Sequence, residues 1–339
     1  DLFAYQRTKD RPDPQPVAGY TLVRETHDAD LEPGEQTRIQ HSFSYSDGFG
    51  REIQKKIQAE PGPVSARYAG SDGRPVMTAS DTAPRWVGSG WTIYNNKGKP
   101  VRRYEPFFSD THCFEFGVQA GVSSILFYDP VGRIVATVHP NNTYEKVVLD
   151  PWQQTTYDVN DTGTRDPRTD PHIGGYVANY FNNLTVDPDR PWTTWYQQRH
   201  TGALGPQEKD AANKAAAHAD TPTTAYFDTL GRPFLTVAHN KVACPNHDLD
   251  GTEEKLYTRV ELDIEGNRRT VRDAIVQAGD ARGRIVMRYD YDMLGNCIHQ
   301  ASMEAGERWM LNDAAGKPIR AWDSRGHILR TEYDPLRRP

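Results

Sequence analysis

Ser124-Ile125-Leu126-Phe127-Tyr128-Asp129-Pro130-Val131-Gly132-Arg133-Ile134-Val135-Ala136-Thr137-Val138 decides the fold. Two runs rich in β-branched and aromatic residues, which strands prefer, flank an Asp and a Gly three positions apart. Asp at the first position of a type I turn accepts hydrogen bonds from backbone N–H groups just ahead of it. The fourth position needs a residue that tolerates positive φ, and Gly does so without a Cβ clash. A type I turn closed by a left-handed Gly is a common hairpin connection, so the stretch reads strand, turn, strand.

The spacing returns along the chain at Asp47/Gly50, Asp129/Gly132, Asp228/Gly231, Asp263/Gly266, Asp280/Gly283, Asp292/Gly295, Asp313/Gly316 and Asp323/Gly326. Chance would place only about two or three such pairs in a chain of this composition, so the pattern is an internal repeat. Asn95/Gly98 is a degenerate copy with Asn for Asp, and the copies at Asp150 and Asp334 lack the Gly. Asp248-Leu249-Asp250-Gly251 has the spacing without apolar flanks and reads as a loop. Asp313 follows Asp292 by twenty-one residues, and Asp323 and Asp334 follow at ten and eleven. About ten residues is one strand plus one turn, so the expected fold class is all-β, built of antiparallel hairpins.

Composition narrows the function. Of 339 residues 36% are hydrophobic and the mean hydropathy is −0.77, low for a compact globule. Yet 17 Tyr, 11 Phe and 7 Trp exclude a disordered chain. A sheet curled around a wet interior has this profile. A net charge of −6 and scattered Lys and Arg argue against a nucleic-acid partner. Cys113, Cys244 and Cys297 are far apart, which argues against a disulfide scaffold and a structural zinc site. No apolar run approaches a membrane span, and the segment carries no signal peptide. Without an initiator Met, and stopping in mid-repeat at Pro339, the chain reads as a segment of a longer polypeptide.

Four regions are expected. Residues 1–41 are an irregular lead-in, Pro-rich and then acidic. Residues 42–150 are hairpins interrupted by a Pro-, Gly- and Ser-rich loop over 61–90. Residues 151–222 are a Pro- and Asp-rich insertion with one helix near 206–219, where Pro206 opens an Ala-, Lys- and Glu-rich run. Residues 223–339 return to repeats.

Catalytic signatures are missing: there is no Gly-x-Ser-x-Gly, no His-Glu-x-x-His and no phosphate-binding Gly-x-x-x-x-Gly-Lys. Asp290 and Asp292 share a strand face at i, i+2 but read as solvated. The Cys244–Gly251 run gathers metal-capable side chains without the alternating acidic series of a calcium loop, and reads as polar loop. Each repeat Asp has a local turn-forming job. The expectation is a non-enzymatic chain with no catalytic residue, metal or cofactor. Trp192, Trp195 and Tyr196 are the weak binding candidates, because exposed aromatics stack on sugar rings. They carry the alternative function, an extracellular module that grips a glycan or a cell-surface partner.

The Tyr-Asp pairs at Tyr128-Asp129, Tyr289-Asp290, Tyr291-Asp292 and Tyr333-Asp334 resemble the YD-repeat (RHS) family. Phe127 to Pro140, Glu145 to Tyr157, Gly202 to Ala219 and Phe227 to Asn240 are similar to the B-component proteins of insecticidal Tc toxin complexes. The resemblance covers most of residues 40–339. It implies a curved strip of hairpins that forms part of a hollow shell. The implied partners are the rest of that shell, a C-component-like RHS protein and an enclosed toxic polypeptide. A pore-forming A component would dock through a propeller that is not in this segment. The implied setting is an extracellular toxin complex released from a bacterium. The aspartates that release cargo in the family belong to the C partner, and no Asp here matches them.

Overall fold

The structure is a computed structural model that describes residues 16–69, 75–77, 81–184 and 191–339. It is nearly all antiparallel β-sheet, as the turn spacing requires. Two compact units divide at Asn142 and Thr143, inside the hairpin run expected over 42–150.

The first unit holds β1 (Val17–Arg24), β2 (Ile39–Ser46), β3 (Glu52–Ala59), β4 (Ser65–Ala69), β5 (Pro75–Met77), β6 (Arg85–Gly88), β7 (Thr92–Tyr94), β8 (Pro100–Arg103), β9 (Phe107–Ser109), β10 (Ile125–Tyr128) and β11 (Ile134–Val138). One sheet runs β1-β2-β3-β6-β9, a second set runs β7-β8-β10-β11, and β4 pairs with β5. The lead-in expected to be irregular therefore contains a strand. β1 pairs with β2 from Val17↔Ser46 to Arg24↔Ile39, and Tyr20 stacks on Phe43 at 4.5 Å. The prolines that suggested irregularity lie before it and the acidic residues after it; residues 1–15 lie outside the described residues. The loop expected over 61–90 contains β6, because Trp86 is buried with its edge on Phe43 at 5.6 Å. Aromatic burial there outweighs the surrounding turn formers.

The second unit holds β12 (Tyr144–Leu149), β13 (Gln153–Tyr157), α1 (Gly174–Asn182), α2 (Trp195–Arg199), α3 (Pro206–Ala217), β14 (Thr223–Phe227), β15 (Pro233–Lys241), β16 (Glu253–Leu262), β17 (Arg268–Arg272), β18 (Ile285–Tyr291), β19 (Cys297–Ser302), β20 (Gly306–Asn312), β21 (Pro318–Asp323) and β22 (Ile328–Arg330). Each strand pairs antiparallel with the next in chain order. Successive connections therefore alternate between the two edges of the sheet. The turns at Asp150, Asp228, Asp263, Asp292, Asp313 and Asp334 share one edge. The helical insertion, the Cys244 loop and the Asp323 turn lie on the other.

Among the described residues, the insertion holds three helices rather than one. α3 occupies the expected Ala-rich run. α2 is closed by a capping box between Thr194 and Gln197. α1 has two glycines and several β-branched and aromatic residues, so local propensity is against it. Burial decides: Ile173 and Val177, one turn apart, are almost completely enclosed. The insertion's ends are tied together at Asp161, whose Oδ1 accepts from both Thr221 N and Thr221 Oγ1 at 2.9 Å. The Asp187-Pro188-Asp189-Arg190 run within the insertion lies outside the described residues.

Buried hydrophobic residues of this unit are Tyr144, Ile173, Val177, Ala212 and Val237. Beyond Val237 no described hydrophobic side chain is fully buried, and the main packing of β16–β22 is against their sequence neighbours. That part is a single layer. Ladder hydrogen bonds and cross-strand pairs hold it, such as His299 stacked on Trp309 at 5.2 Å.

Candidate functional site

The repeat turns share one geometry. Asp228 is typical. Gly231 N donates to Asp228 O at 2.9 Å and Asp228 N to Arg232 O at 3.0 Å, closing the turn and the bulge after it. The carboxylate completes the turn: Oδ1 accepts from Leu230 N and Arg232 N, both at 2.9 Å, and Oδ2 from Arg232 Nε at 2.7 Å. Gly231 sits at φ +75°, which only Gly adopts without strain. Asp47, Asp129, Asp263, Asp292, Asp313, Asp323 and Asp334 accept from the backbone in the same way. Gly50, Gly132, Gly266, Gly295, Gly316 and Gly326 share the positive φ.

The residue four places after the Asp closes a clamp on its side chain. Arg51, Arg133 and Arg338 donate Nε to Oδ2 at 2.6–2.7 Å, Asn267 and Asn296 donate Nδ2 at 3.0 and 2.9 Å, and His327 Nδ1 lies 2.9 Å away. The Asn296 side chain and amide hold the Asp292 carboxyl below its ordinary range, and the Arg232 amide does so for Asp228. The clamp was written in the sequence as a basic or amide residue at the fifth position, a signal the four-residue spacing ignores.

Turns on one edge also bind each other. A Cβ on Gly266 would lie 3.1 Å from Arg232 Nη1, and Asn267 and Asn296 stand 3.9 Å from the same points of Gly295 and Gly316. Tyr291 OH donates to Arg268 O at 3.0 Å and Tyr333 OH to Pro318 O at 2.8 Å. In the first unit Tyr94 OH reaches Glu52 O at 3.2 Å and Tyr128 OH reaches Pro100 O at 2.7 Å. Each accepting carbonyl lies two residues past the Gly of the neighbouring turn. The Tyr of a Tyr-Asp pair is thus a stitch between turns. Tyr289-Asp290 is no such pair: Asp290 stands inside β18, bonded to His299 Nδ1 at 2.9 Å and 3.3 Å from Arg269.

One repeat differs. Asp280/Gly283 does not close the hairpin between β17 and β18. Asp273 does, with Asp273 N donating to Arg284 O at 2.9 Å and Arg284 Nη2 to Asp273 Oδ2 at 2.6 Å. Asp280 instead turns inward to buried Arg272, whose Nη1 reaches it at 2.8 Å, while Arg282 bonds it from outside. Those bonds, Arg282's first, draw the Asp280 carboxyl down to about 2.

Two buried charged clusters escaped the sequence reading. In the second unit Lys146 Nζ donates to Asp170 Oδ2 at 2.7 Å, Tyr144 OH donates to the same oxygen at 2.8 Å, and Lys146 Nζ lies 3.1 Å from His172 Nδ1. Both members of the ion pair are fully enclosed. Burial works against the Asp170 carboxylate, yet these donors hold its pKa below the usual range. In the first unit Lys56 is enclosed, pairs with Glu115 and lies 4.6 Å from the Phe107 ring centroid; burial draws its ammonium pKa down. Ser109 Oγ donates to Glu115 Oε2 at 2.7 Å. Each fastens a loop over a strand.

The binding candidates all have internal partners. Trp192 packs edge-on against Phe181 at 4.7 Å under Arg168, Arg199 covers Trp195 at 4.6 Å, and Tyr196 stacks on His200 at 5.0 Å. They are half-buried and not gathered into one exposed platform. In the Cys244 loop, Asp250 Oδ1 accepts from Cys244 N at 2.8 Å, and no metal-ligating triplet forms among the described residues. A polar cavity of about 240 Å³ at the insertion's stem is lined by Asp158 and Asp161, whose carboxylates already accept backbone N–H groups.

No protein-family model matches the chain, and no curated protein matches it. Solved structures do. The chain is similar in fold to the TcdB2–TccC3 complex. It superposes with a TM-score of 0.62 at 23% identity over 96% of its length. TcdB2–TccC3–Cdc42 gives 0.64 at 22% over 96%, and the Photorhabdus luminescens Tc holotoxin pore with a mutated TccC3 gives 0.60 at 24% over 94%. The chain spans 13% of each of those chains. The fold is thus Tc toxin B/C-like. No helix among the described residues is long and apolar enough to cross a membrane.

Proposed function

We propose that this chain is a non-enzymatic wall segment of an RHS-type shell that encloses a toxic polypeptide and helps deliver it, in a secreted complex of the Tc kind. The observation that carries the reading is the stitched turn ladder beside a single-layer sheet, in a fold similar to TcdB2–TccC3. A layer without a solid core leaves both faces for other tasks: one towards solvent, the other towards an enclosed chain. A half-polar lining suits such a chain, because a greasy one would hold it too tightly. In this reading the repeat carboxylates serve the turns they close, as their bonds to backbone N–H groups support. The partners in this reading are the rest of the shell, a C-component-like RHS protein, the enclosed polypeptide and a pore-forming A component.

The test is electron microscopy of the protein expressed from its complete reading frame, alone and with the products of adjacent frames. A hollow particle containing a protease-protected polypeptide is expected. A solid particle, or one whose whole chain is cleaved at the rate of free peptide, would sink the proposal.

A further inference from the structure

A lysine taken out of water is a nucleophile as well as a cation. Lys56 lies on β3 with its side chain wholly enclosed, and its Nζ stands against Glu115 Oε2. Glu115 belongs to the loop after β9, 59 positions further on, and its side chain is only 14% exposed. The main chain of Glu115 is fixed from the same strand face. Gln54, two residues before Lys56 and equally buried, accepts from Glu115 N at 2.8 Å and donates Nε2 to Glu115 O at 3.1 Å. Tyr45 OH holds the same loop at His112 O, at 2.7 Å. Ser109 Oγ donates to Glu115 Oε2 at 2.7 Å, and the Phe107 ring lies 4.6 Å from Nζ. The fold, and not only their mutual attraction, therefore holds amine and carboxyl together in a dry site.

We propose that Lys56 and Glu115 condense to an intramolecular isopeptide bond, a cross-link made by the folded chain itself. Burial weakens the Lys56 ammonium, and a dry site favours the neutral pair over two ions. One proton passes from Nζ to the Glu115 carboxyl, leaving an amine beside a carboxylic acid. The Nζ lone pair then attacks Cδ, and a C–N bond forms. Negative charge develops on Oε2, where the Ser109 hydroxyl already donates. The protonated oxygen leaves as water with a second proton from Nζ, so an ammonium and a carboxylate become one amide and one water. Groups held in place in this way react at effective concentrations on the order of 10⁵–10⁸ M, which offsets the poor leaving group. Lys146 and Asp170 do not qualify. Their neighbours hold that carboxyl ionised, and an amine does not attack a carboxylate. The cross-link does not rest on the shell reading, and either can fail without the other.

The experiment is mass spectrometry of the full chain, purified folded, stored until its mass no longer changes and then denatured. The wild type is expected to be lighter than its sequence by one water, about 18 Da. Trypsin is expected to leave one branched peptide that carries both Lys56 and Glu115. Lys56→Arg keeps the positive charge but offers no amine to acylate, so it is expected at full mass with two separate peptides. A wild type at full mass, with no branched peptide, would overturn the proposal. So would a lost water with Lys56 and Glu115 on separate peptides, which marks a cyclised Asp-Gly such as Asp47-Gly48 instead. The wild-type result decides the matter even where the variant does not fold.

Discussion

At the scale of single residues, an Asp and the residue four places on do most of the shaping. The Asp–Gly spacing was legible in the sequence because a turn is local. The clamp was in plain view at Arg232, Asn267 and Asn296, but its second role, touching the next turn's Gly, depends on register across strands. The Asp280 pair was misread for a related reason. Its true counterpart, Asp273, is eleven residues from the Arg284 it closes on, beyond any local window. The repeat carboxylates also set a pH limit. Their folded pKa values are lowered from 3.8, Asp280's to about 2. The folded chain therefore binds fewer protons than the unfolded one between about pH 4 and pH 2. Their contribution is complete above the unfolded value and is lost as pH falls through the folded ones. Urea midpoints are expected to hold steady from pH 7 to 5 and drop steeply below 4. A midpoint unchanged at pH 2.5 would refute the assignment.

At the scale of elements, hairpins β10–β11 and β14–β15 follow from turn signals and runs of β-branched and aromatic residues. β1, β6 and α1 do not, because long-range burial outweighs local signals there: Tyr20 on Phe43, Trp86 in its aromatic nest, Ile173 and Val177 under the insertion. The Lys146–Asp170 pair was hidden for the same reason. Asp170 stands in a Pro-rich turn that looks solvated, twenty-four residues from Lys146. Removing one member of a buried pair leaves a charge without compensation and costs about 3–5 kcal/mol. Lys146→Met is expected to lower the unfolding free energy by that amount, and Lys146→Met with Asp170→Leu to regain most of it. Equal losses in the single and double variants, measured by urea denaturation, would show that the pair does not act as a unit.

At the scale of the whole molecule, stability is unevenly spread. The insertion side of the second unit has enclosed residues such as Tyr144 and Val177, while β16–β22 pack mainly against their neighbours. Amide exchange is expected to be slowest in β12–β15 and progressively faster towards β22. Uniform protection along the strip would contradict a one-layer sheet. The sequence showed this strip clearly because its period is constant, but the enclosed region was less visible because its contacts span the insertion. Contacts made mainly with neighbours have a consequence for how such a chain is made. Each new hairpin needs only the strand already in place, so the strip can grow in step with synthesis, one turn after another, without waiting for distant sequence. Its length is then free to vary by whole hairpins, and a lineage can lengthen or shorten it without redesigning what came before.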